Sequence, residues 1–256
     1  MIDTIAAFDG RLAKVEGAER SGKTQALVAR CAHLIQNGEA PASILVAVTN
    51  AFAAQAFRKR LRRALPANLI GAALSVRVCT ALDAAASVLD QPAAREATGR
   101  VPRILNNAEY NFFLEDMKTL GTPARRLRSE LGHIKQQWCA LAPEEDWAVG
   151  EEKDVLDLAH RLLSATNAML EDEVAYLCGR YLQSDAGAGA RQWFALVLAD
   201  DFQNLSAAQQ TCLCLLARDQ LIVAGNPDET VRVATSFPAP EGFATFDTLR
   251  RNVTVF

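Results

Sequence analysis

Residues 15–24 read Val15-Glu16-Gly17-Ala18-Glu19-Arg20-Ser21-Gly22-Lys23-Thr24 and fit the pattern G-x-x-x-x-G-K-S/T. The two glycines let the backbone curl tightly, so that successive N–H groups can point at one anion. In loops of this pattern the lysine reaches the β- and γ-phosphates of a nucleotide, and the hydroxyl that follows holds Mg²⁺. A helix directly after the loop adds the positive end of its dipole. The stretch therefore predicts a phosphate-binding loop.

The sequence on either side of this loop supports the same interpretation. Residues 12–15 predict a short strand, and residues 24–36 predict a helix that Gly38 closes. The alternative is a glycine-rich turn that only connects a strand to a helix. We expect a nucleotide to contact the whole loop, which comprises Gly17, Ala18, Glu19, Arg20, Ser21, Gly22, Lys23 and Thr24.

The composition limits the class of protein. The chain has 256 residues, 50% of them hydrophobic, which is enough for one large domain or two small ones. Because no apolar run approaches ~18 residues, we expect no membrane contact. A net charge of −3 means that any nucleic-acid contact requires a local basic patch. The six cysteines include no Cys-x-x-Cys pair, which favours a reduced, cytoplasmic protein without a zinc site.

The first part of the chain alternates predicted strands and helices. Strands at Ile44–Val48 and Leu74–Cys79 alternate with helices at 51–65 and 81–89, and Pro92 closes this block. An unbroken β-rich run is typical of a strand that is buried on both faces of a parallel sheet. This part of the chain is therefore predicted to be α/β.

Residues 92–190 show a different pattern, in which strand signals vanish and helical periodicity takes over. The first predicted helix is capped by Asn106 or Asn107, and a second starts at Thr122-Pro123 and runs to about Cys139. An acidic loop is predicted over 144–154, followed by a long helical stretch to about Leu182. A flexible hinge over 185–190 ends this part of the chain.

The α/β pattern returns after residue 190. A buried strand is predicted over Phe194–Ala199, and a helix capped by Ser206 runs to about Arg218 before a further strand at Leu221–Ala224. We therefore expect one α/β domain interrupted by a mostly helical insert, with bounds of 1–91 and 191–256 for the domain and 92–190 for the insert.

Two acidic residues, Asp200-Asp201, follow the predicted strand that ends at Ala199. In open α/β sheets, ligands bind at the carboxyl ends of the strands. An aspartate there is placed to hold Mg²⁺ opposite Thr24. The alternative is an ordinary acidic loop after a strand, and the phosphate-binding loop favours the metal site.

Five motifs resemble those of UvrD/Rep-like superfamily 1 DNA helicases and follow the family's order. They cover nearly the whole chain, and the helical insert lies where the family has its 1B subdomain. The matches are Ala53-Ala54-Gln55-Ala56-Phe57-Arg58-Lys59-Arg60-Leu61 to A-A-x-E-M-x-x-R-I, Val76-Arg77-Val78-Cys79-Thr80 to the strand and threonine of T-F-H, Asp200-Asp201-Phe202-Gln203-Asn204 with Gln209 to D-E-F-Q-D…Q, Gly225-Asn226-Pro227-Asp228-Glu229 to G-D-P-D-Q, and Leu249-Arg250-Arg251-Asn252 to the start of L-x-x-N-Y-R.

This resemblance implies a RecA-like P-loop domain, 1A, that carries a 1B insertion. In the family, ATP sits between 1A and a second RecA-like domain, 2A, which supplies arginine contacts to the γ-phosphate. Because the chain stops at Phe256, where 2A would begin, we expect an N-terminal fragment or a truncated relative. The implied partners are single-stranded or partly duplex DNA, the 2A domain, and repair or recombination proteins.

The resemblance also implies ATP and Mg²⁺ as cofactors and assigns roles around them. Thr24 and Asp200 are implied as metal ligands. Asp201 takes the position of the residue that activates the attacking water, with Lys23 also catalytic. The γ-phosphate sensor corresponds to Glu229.

Gln203 is implied to contact the nucleotide, and four residues are implied to contact DNA. Three of them, Arg58, Arg60 and Arg62, lie in the densest basic run of the chain. The fourth is Thr80 of the T-F-H motif. The alternative for the basic run is the solvated end of a helix, where cations also suit the dipole.

Several positions depart from the family pattern. The catalytic glutamate is Asp201, whose carboxylate reaches about one methylene less far toward a water. The sensor glutamine is Glu229, which a phosphate repels unless Mg²⁺, Lys23 or an arginine intervenes. Asn204 and Asn226 replace aspartates. Hydrolysis is therefore the activity that these departures bring into question.

Two hypotheses of function follow. The first is an ATP-hydrolysing motor domain that drives translocation on single-stranded DNA in the intact protein. The second is a degenerate, non-hydrolysing relative that serves as a DNA- or protein-binding subunit of a repair or recombination complex. A P-loop small-molecule kinase explains neither the position of the insert nor the order of the motifs.

Overall fold

The computed structural model describes residues 2–121, 123–232 and 235–256. The chain divides into two compact units. The first contains the residues up to Ala84 together with Ala190–Phe256, and the second contains Ala85–Gly189.

The first unit is built on a six-stranded sheet in which every pairing is parallel. The strand order is β3-β2-β4-β5-β1-β6. Since both faces of such a sheet are covered, its central strands consist of continuous apolar runs. The strands are β1 (Leu12–Glu16), β2 (Ile44–Val48), β3 (Arg77–Thr80), β4 (Phe194–Ala199), β5 (Ala217–Gly225) and β6 (Val253–Val255).

Twelve α-helices occur within the described residues. They are α1 (Ile2–Ala6), α2 (Lys23–Gln36), α3 (Ala51–Ala64), α4 (Ala81–Leu89), α5 (Pro92–Thr98), α6 (Asn107–Met117), α7 (Ala124–Cys139), α8 (Glu144–Trp147), α9 (Glu151–Ala165), α10 (Glu171–Gln183), α11 (Ala207–Leu216) and α12 (Pro240–Ala244).

The strand order decides where the site lies. β5 pairs with β4 on one side and with β1 on the other, so the carboxyl ends of these three strands are neighbours. Ala199 is level with Val223, and Glu16 is level with Gly225. The loops that follow the three strands therefore meet at one edge of the sheet.

The core of the first unit holds these strands in place. Buried side chains of the strands, among them Val46 and Leu198, pack with Leu27 of α2 and with Phe57 and Leu61 of α3. Each such apolar side chain contributes about 1.5–3 kcal/mol on full burial. The helix that starts at the phosphate-binding loop is thus fixed against the sheet.

The second unit is helical and has its own core. Trp138 of α7 is fully buried and packs among apolar residues of α6, α9 and α10. A buried ion pair joins Arg100 to Glu173, with Nη1 and Oε2 3.1 Å apart, and the same guanidinium donates to the carbonyl of Ala168. The pair fixes the segment before α6 to the start of α10.

Two predicted elements of the first unit have different bounds. The strand predicted over Leu74–Cys79 begins only at Arg77, because Ala67–Leu74 forms a 3-10 helix. As an edge strand, β3 pairs only with β2, and that pairing starts at Arg77. The helix that Ser206 caps ends at Leu216 rather than about Arg218, and the following strand starts at Ala217.

The second unit corrects three further predictions. Pro92 starts a helix instead of closing a block, which suits a residue whose missing N–H costs nothing at the first helical position. The acidic loop predicted over 144–154 is α8 and the start of α9, where carboxylates favour the first turn. The long stretch after it is two helices, separated where Met169 donates to the carbonyl of Arg103.

Short elements escaped the sequence patterns. Helices α1 and α12 and strand β6 have five residues or fewer, too few for a periodic signal. In the predicted hinge, Ala188–Ala190 forms a 3-10 helix. Thr122, predicted to start a helix, lies outside the described residues, and Pro123 directly precedes α7.

Candidate functional site

The loop between β1 and α2 has the backbone of an anion-binding turn. Gly22 precedes α2 with a φ of 95°, and Arg20 adopts the left-handed region at 63°. A Cβ at Gly17 would lie 2.7 Å from the hydroxyl of Ser21, so a side chain there would force Ser21 to shift. The first N–H groups of an α-helix have no partner within the helix and can bind an anion, and α2 begins directly after this loop.

Lys23 lies inside this loop and is 8% exposed. Its ammonium donates hydrogen bonds to the carbonyls of Gly17 and Ala18, the latter at 2.9 Å. The lysine that would bind phosphates is therefore satisfied by the loop's own backbone. A phosphate must replace these carbonyls as the partner of Lys23.

The next residue, Thr24, contacts the loop after β4. Its hydroxyl donates to Oδ2 of Asp200 at 2.6 Å across 176 positions of sequence. Burial raises the pKa of Asp200 from its ordinary value of 3.8 to about 6, and the neighbouring Asp201 carboxylate adds to the increase. The hydrogen bond from Thr24 opposes this rise. Two hard oxygen donors thus lie side by side at the start of α2.

Asp201 follows with a φ of 51°, in the left-handed region that residues with side chains seldom adopt. Its side chain faces the space in front of the phosphate-binding loop. Burial raises the pKa of Asp201, and Glu229 also raises it, while Lys23 and a hydrogen bond to Gln203 lower it. The carboxylate is therefore a better proton acceptor than an exposed aspartate.

Glu229 reaches the phosphate-binding loop from the segment after β5. Its Oε1 accepts a hydrogen bond of 2.9 Å from the backbone N–H of Glu19. At the base of the loop, Gly17 donates to the carbonyl of Gly225 at 3.4 Å. The loop after β5 thus contacts the phosphate-binding loop at two points.

Two side chains after Asp201 hold the segment that carries Glu229. Gln203 is 2% exposed, and its Oε1 accepts from the N–H of Asn226 at 3.3 Å. Asn204 accepts from the N–H of Val231 at 2.8 Å. The side chain of Asn226 itself accepts from the N–H of Asp228. Gln203 therefore supports this loop, and its contact with a nucleotide stays a prediction.

These groups surround a cavity of about 430 Å³. Its walls come from the phosphate-binding loop and from the loops that follow β4 and β5. Of the predicted site residues, Asp200 and Gln203 do not line the cavity but bond to Thr24, which lines it, and to Asn226, respectively. The lining residues are Glu19, Arg20, Ser21, Gly22, Lys23, Thr24, Gln25, Arg60, Asp201 and Glu229.

A family model for the UvrD/REP helicase N-terminal domain matches residues 5–231. This chain belongs to the UvrD/Rep helicase family. The RecA-like architecture expected of the family agrees with the six-stranded parallel sheet and its flanking helices. A search of the curated proteins found no match.

Membership of the UvrD/Rep family makes the chain a helicase N-terminal domain. Helicases of the UvrD/Rep family use ATP, typically with Mg²⁺, and bind DNA. Among the described residues, none of the helices has both the length and the apolar character needed to span a membrane.

The four residues assigned to DNA by the UvrD/Rep resemblance lie in different environments. Arg58 donates to the carbonyl of Val78 in β3. Thr80 donates to Asp83 at 2.8 Å and accepts from its N–H, which caps α4. Arg60 lines the cavity, and Arg62 is exposed in the last turn of α3. The four side chains therefore differ in exposure and in partners, and their contact with DNA stays a prediction.

Sequence reasoning missed two kinds of residue in this UvrD/Rep site. Gln25 lines the cavity. Its place in the sequence, directly after Thr24, is the signal that could have identified it. Arg60 was assigned to DNA, and only the fold brings it to the cavity. Asn204 and Asn226, which depart from the family pattern, both hold the loop that carries Glu229, a role that the motif comparison does not indicate.

Proposed function

We propose that the chain is the motor domain of a UvrD/Rep-like DNA helicase that binds Mg²⁺-ATP and hydrolyses it to drive translocation on single-stranded DNA in the intact protein. The observation that carries this proposal is the hydrogen bond of 2.6 Å between Thr24 and Asp200. It joins the phosphate-binding loop to the acidic loop at one edge of the sheet.

The oxygen donors of Thr24 and Asp200 fit a magnesium ion. Mg²⁺ prefers hard oxygen ligands, and nucleotide sites commonly supply one or two from the protein while phosphates supply others. A divalent cation would also stabilise the charged form of Asp200, which burial disfavours. When bound, the ion neutralises the charge that develops on the phosphate oxygens.

The chain's own residues would carry the remaining chemistry. Lys23 leaves the carbonyls of Gly17 and Ala18 and binds the phosphates instead. Asp201 orients a water for in-line attack on the γ-phosphorus, and it accepts a proton as the bond to the ADP leaving group breaks. Arg60, on the cavity wall, adds positive charge near the phosphates.

Coupling to DNA requires more than the nucleotide site. We propose that a second RecA-like domain closes over the nucleotide and adds arginine contacts to the γ-phosphate. Movement between the two domains then advances single-stranded DNA. Repair or recombination proteins are the proposed partners of such a motor.

Phosphate release with and without single-stranded DNA tests this proposal. Asp201→Asn should retain nucleotide binding but lose about a hundredfold in turnover, because the positioned proton acceptor is gone. Asp228→Asn is the control, since this exposed carboxylate lies outside the cavity. Equal turnover in the Asp201 variant and the unmutated chain would contradict the assignment.

One observation favours a second function, that of a non-hydrolysing subunit which binds DNA or protein in a repair or recombination complex. The loop's groups are satisfied internally: Lys23 by carbonyls, the Glu19 N–H by Glu229. Nucleotide binding without phosphate release, under conditions where DNA still binds, would support this function over the motor.

A further inference from the structure

Glu229 places a carboxylate on a backbone N–H of the phosphate-binding loop. The contact to Glu19 is 2.9 Å and joins residues 210 positions apart. Backbone N–H groups of such loops bind phosphate oxygens, and a carboxylate oxygen is chemically equivalent as an acceptor. Glu229 therefore occupies a donor that a nucleotide would use.

The segment that carries Glu229 cannot move away easily. Gln203 accepts from the N–H of Asn226 before it, and Asn204 accepts from the N–H of Val231 after it. Both supporting side chains are buried. Because these bonds hold the backbone of the segment, we expect the contact to Glu19 to break by rotation of the Glu229 side chain.

The contact lies at the end of the loop that is remote from α2. The amides of Gly22, Lys23 and Thr24 at the helix start suit the phosphates nearer the nucleoside, as does the helix dipole. Glu19 and Glu229 both line the cavity, and Glu229 lies close enough to Asp201 to raise the pKa of that carboxyl. In the proposed function Asp201 acts at the γ-phosphate. A terminal phosphate is the part of the nucleotide that would approach them.

The chemistry of the side chain determines what it does to that phosphate. A glutamine could accept from Glu19 with its carbonyl and donate to a phosphate oxygen with its amide group. A carboxylate has acceptors only and carries a negative charge, so it repels the terminal phosphate. A nucleoside diphosphate lacks that terminal phosphate, so the Glu229 carboxylate repels it much less.

We propose that Glu229 acts as an internal carboxylate ligand of the phosphate-binding loop and makes the site prefer a nucleoside diphosphate over the triphosphate. This inference rests on the proposed nucleotide binding at the loop. Triphosphate binding then requires displacement of the Glu229 carboxylate from Glu19. The preference weakens at high salt, because Glu229 is exposed.

Calorimetric titration of ADP and ATP, each with Mg²⁺, into the full chain tests the inference. The unmutated chain should bind ADP about tenfold more tightly than ATP. Glu229→Gln should tighten ATP binding about tenfold and leave ADP within about threefold, because only the terminal phosphate meets the charge. Asp228→Asn removes the same charge one residue away and should keep the ADP preference.

Lys23→Ala separates failure of the inference from failure of the proposed function. If both nucleotides bind, binding depends on Lys23 and Glu229→Gln leaves the ratio of the two affinities unchanged, the inference is wrong while the nucleotide site stands. If neither nucleotide binds the unmutated chain or the Glu229 variant, both are wrong. Binding of both nucleotides to the unmutated chain, with ATP binding tightened about tenfold and ADP binding nearly unchanged in Glu229→Gln, supports the inference.

Discussion

Asp200 and Asp201 are adjacent in the chain but differ in what they contact. Asp200 accepts from Thr24 and is buried, whereas Asp201 has a left-handed backbone and lines the cavity. Burial raises the pKa of both carboxyls. The ligand-free site thus stores an unfavourable buried charge that a cation would relieve.

This stored charge predicts that Asp200→Asn stabilises the ligand-free protein. The pKa of Asp200 rises from 3.8 to about 6 on folding, so the folded state binds more protons between these values and stability falls as pH rises through them. Removing the carboxylate should raise the free energy of unfolding by about 3 kcal/mol at pH 7.5 but by only about 1 kcal/mol at pH 4.5.

Urea unfolding at the two pH values, without nucleotide or Mg²⁺, measures this difference. The asparagine side chain of this variant can still accept the hydrogen bond from Thr24, so the substitution removes the charge and little else. A loss of stability at pH 7.5, or a gain that does not depend on pH, would contradict the buried charge.

The reach of Asp201 gives a second prediction at this scale. Asp201→Glu adds one methylene and should raise ATP turnover about tenfold if the short carboxylate limits the placement of water. Single-turnover phosphate release at saturating ATP measures this step. Unchanged turnover with unchanged binding would mean that another feature limits hydrolysis.

The sequence motifs identified the residues of the loop but not their resting contacts. Lys23 bonds to carbonyls five and six positions before it, and Glu229 bonds to Glu19 across 210 positions. Such contacts depend on the tertiary path of three loops. Motif spacing contains no information on that path, so the support that Gln203 gives to the segment after β5 does not follow from the motif.

At the scale of elements, the arginines of helix α3 have different environments although they are close together in the sequence. Its buried face carries Ala54, Phe57 and Leu61, which follow helical spacing toward the sheet. The arginines between them therefore point in different directions. Arg58 meets β3 and Arg60 meets the cavity, while Arg62 stays exposed.

Three alanine variants in this helix should give three different results. Arg60→Ala should weaken Mg²⁺-ATP binding without changing DNA binding. Arg62→Ala should weaken binding to single-stranded DNA and lower the salt dependence by about one unit of slope. Arg58→Ala should lower stability by about 1–3 kcal/mol, because a backbone carbonyl loses its charged donor.

Calorimetry, fluorescence anisotropy with labelled DNA and urea unfolding measure the three effects. Each variant removes the same charge from the same helix, so each is the control for the other two. Equal effects of all three on DNA binding at low salt would show a continuous basic patch instead.

Elements with a strong local pattern were predicted well. The strands at Ile44–Val48 and Phe194–Ala199 and the helix at Ala81–Leu89 match in both bounds. Edge strand β6 has only three residues and depends on its pairing with β1, so no local signal marks it. The acidic residues of 144–154 suggested a loop, although the first turn of a helix favours them equally.

At the scale of the whole molecule, each unit depends on its own core. In the second unit the ion pair between Arg100 and Glu173 is almost fully buried, with Glu173 0% exposed. A buried charge that loses its partner costs far more than the pair contributes. The pair therefore makes this unit sensitive to single substitutions.

Arg100→Met should destabilise the protein by about 3–5 kcal/mol, because it leaves the Glu173 carboxylate buried without its partner. Replacing both residues, as Arg100→Met with Glu173→Leu, should recover most of this loss. Urea unfolding followed by tryptophan fluorescence measures the stability of both variants, since Trp138 lies in the core of this unit. A double variant no more stable than the single one would contradict the pairing.

The central claim is that Gly17–Thr24 binds Mg²⁺-ATP, and calorimetric titration of Mg²⁺-ATP into the full chain tests it most directly. We predict saturable binding that Lys23→Ala weakens at least about a hundredfold, because the phosphates lose their charged donor. Lys59→Ala, which removes an exposed lysine outside the cavity, should leave the affinity unchanged. Equal affinity in Lys23→Ala, or no binding by the unmutated chain, would contradict the account.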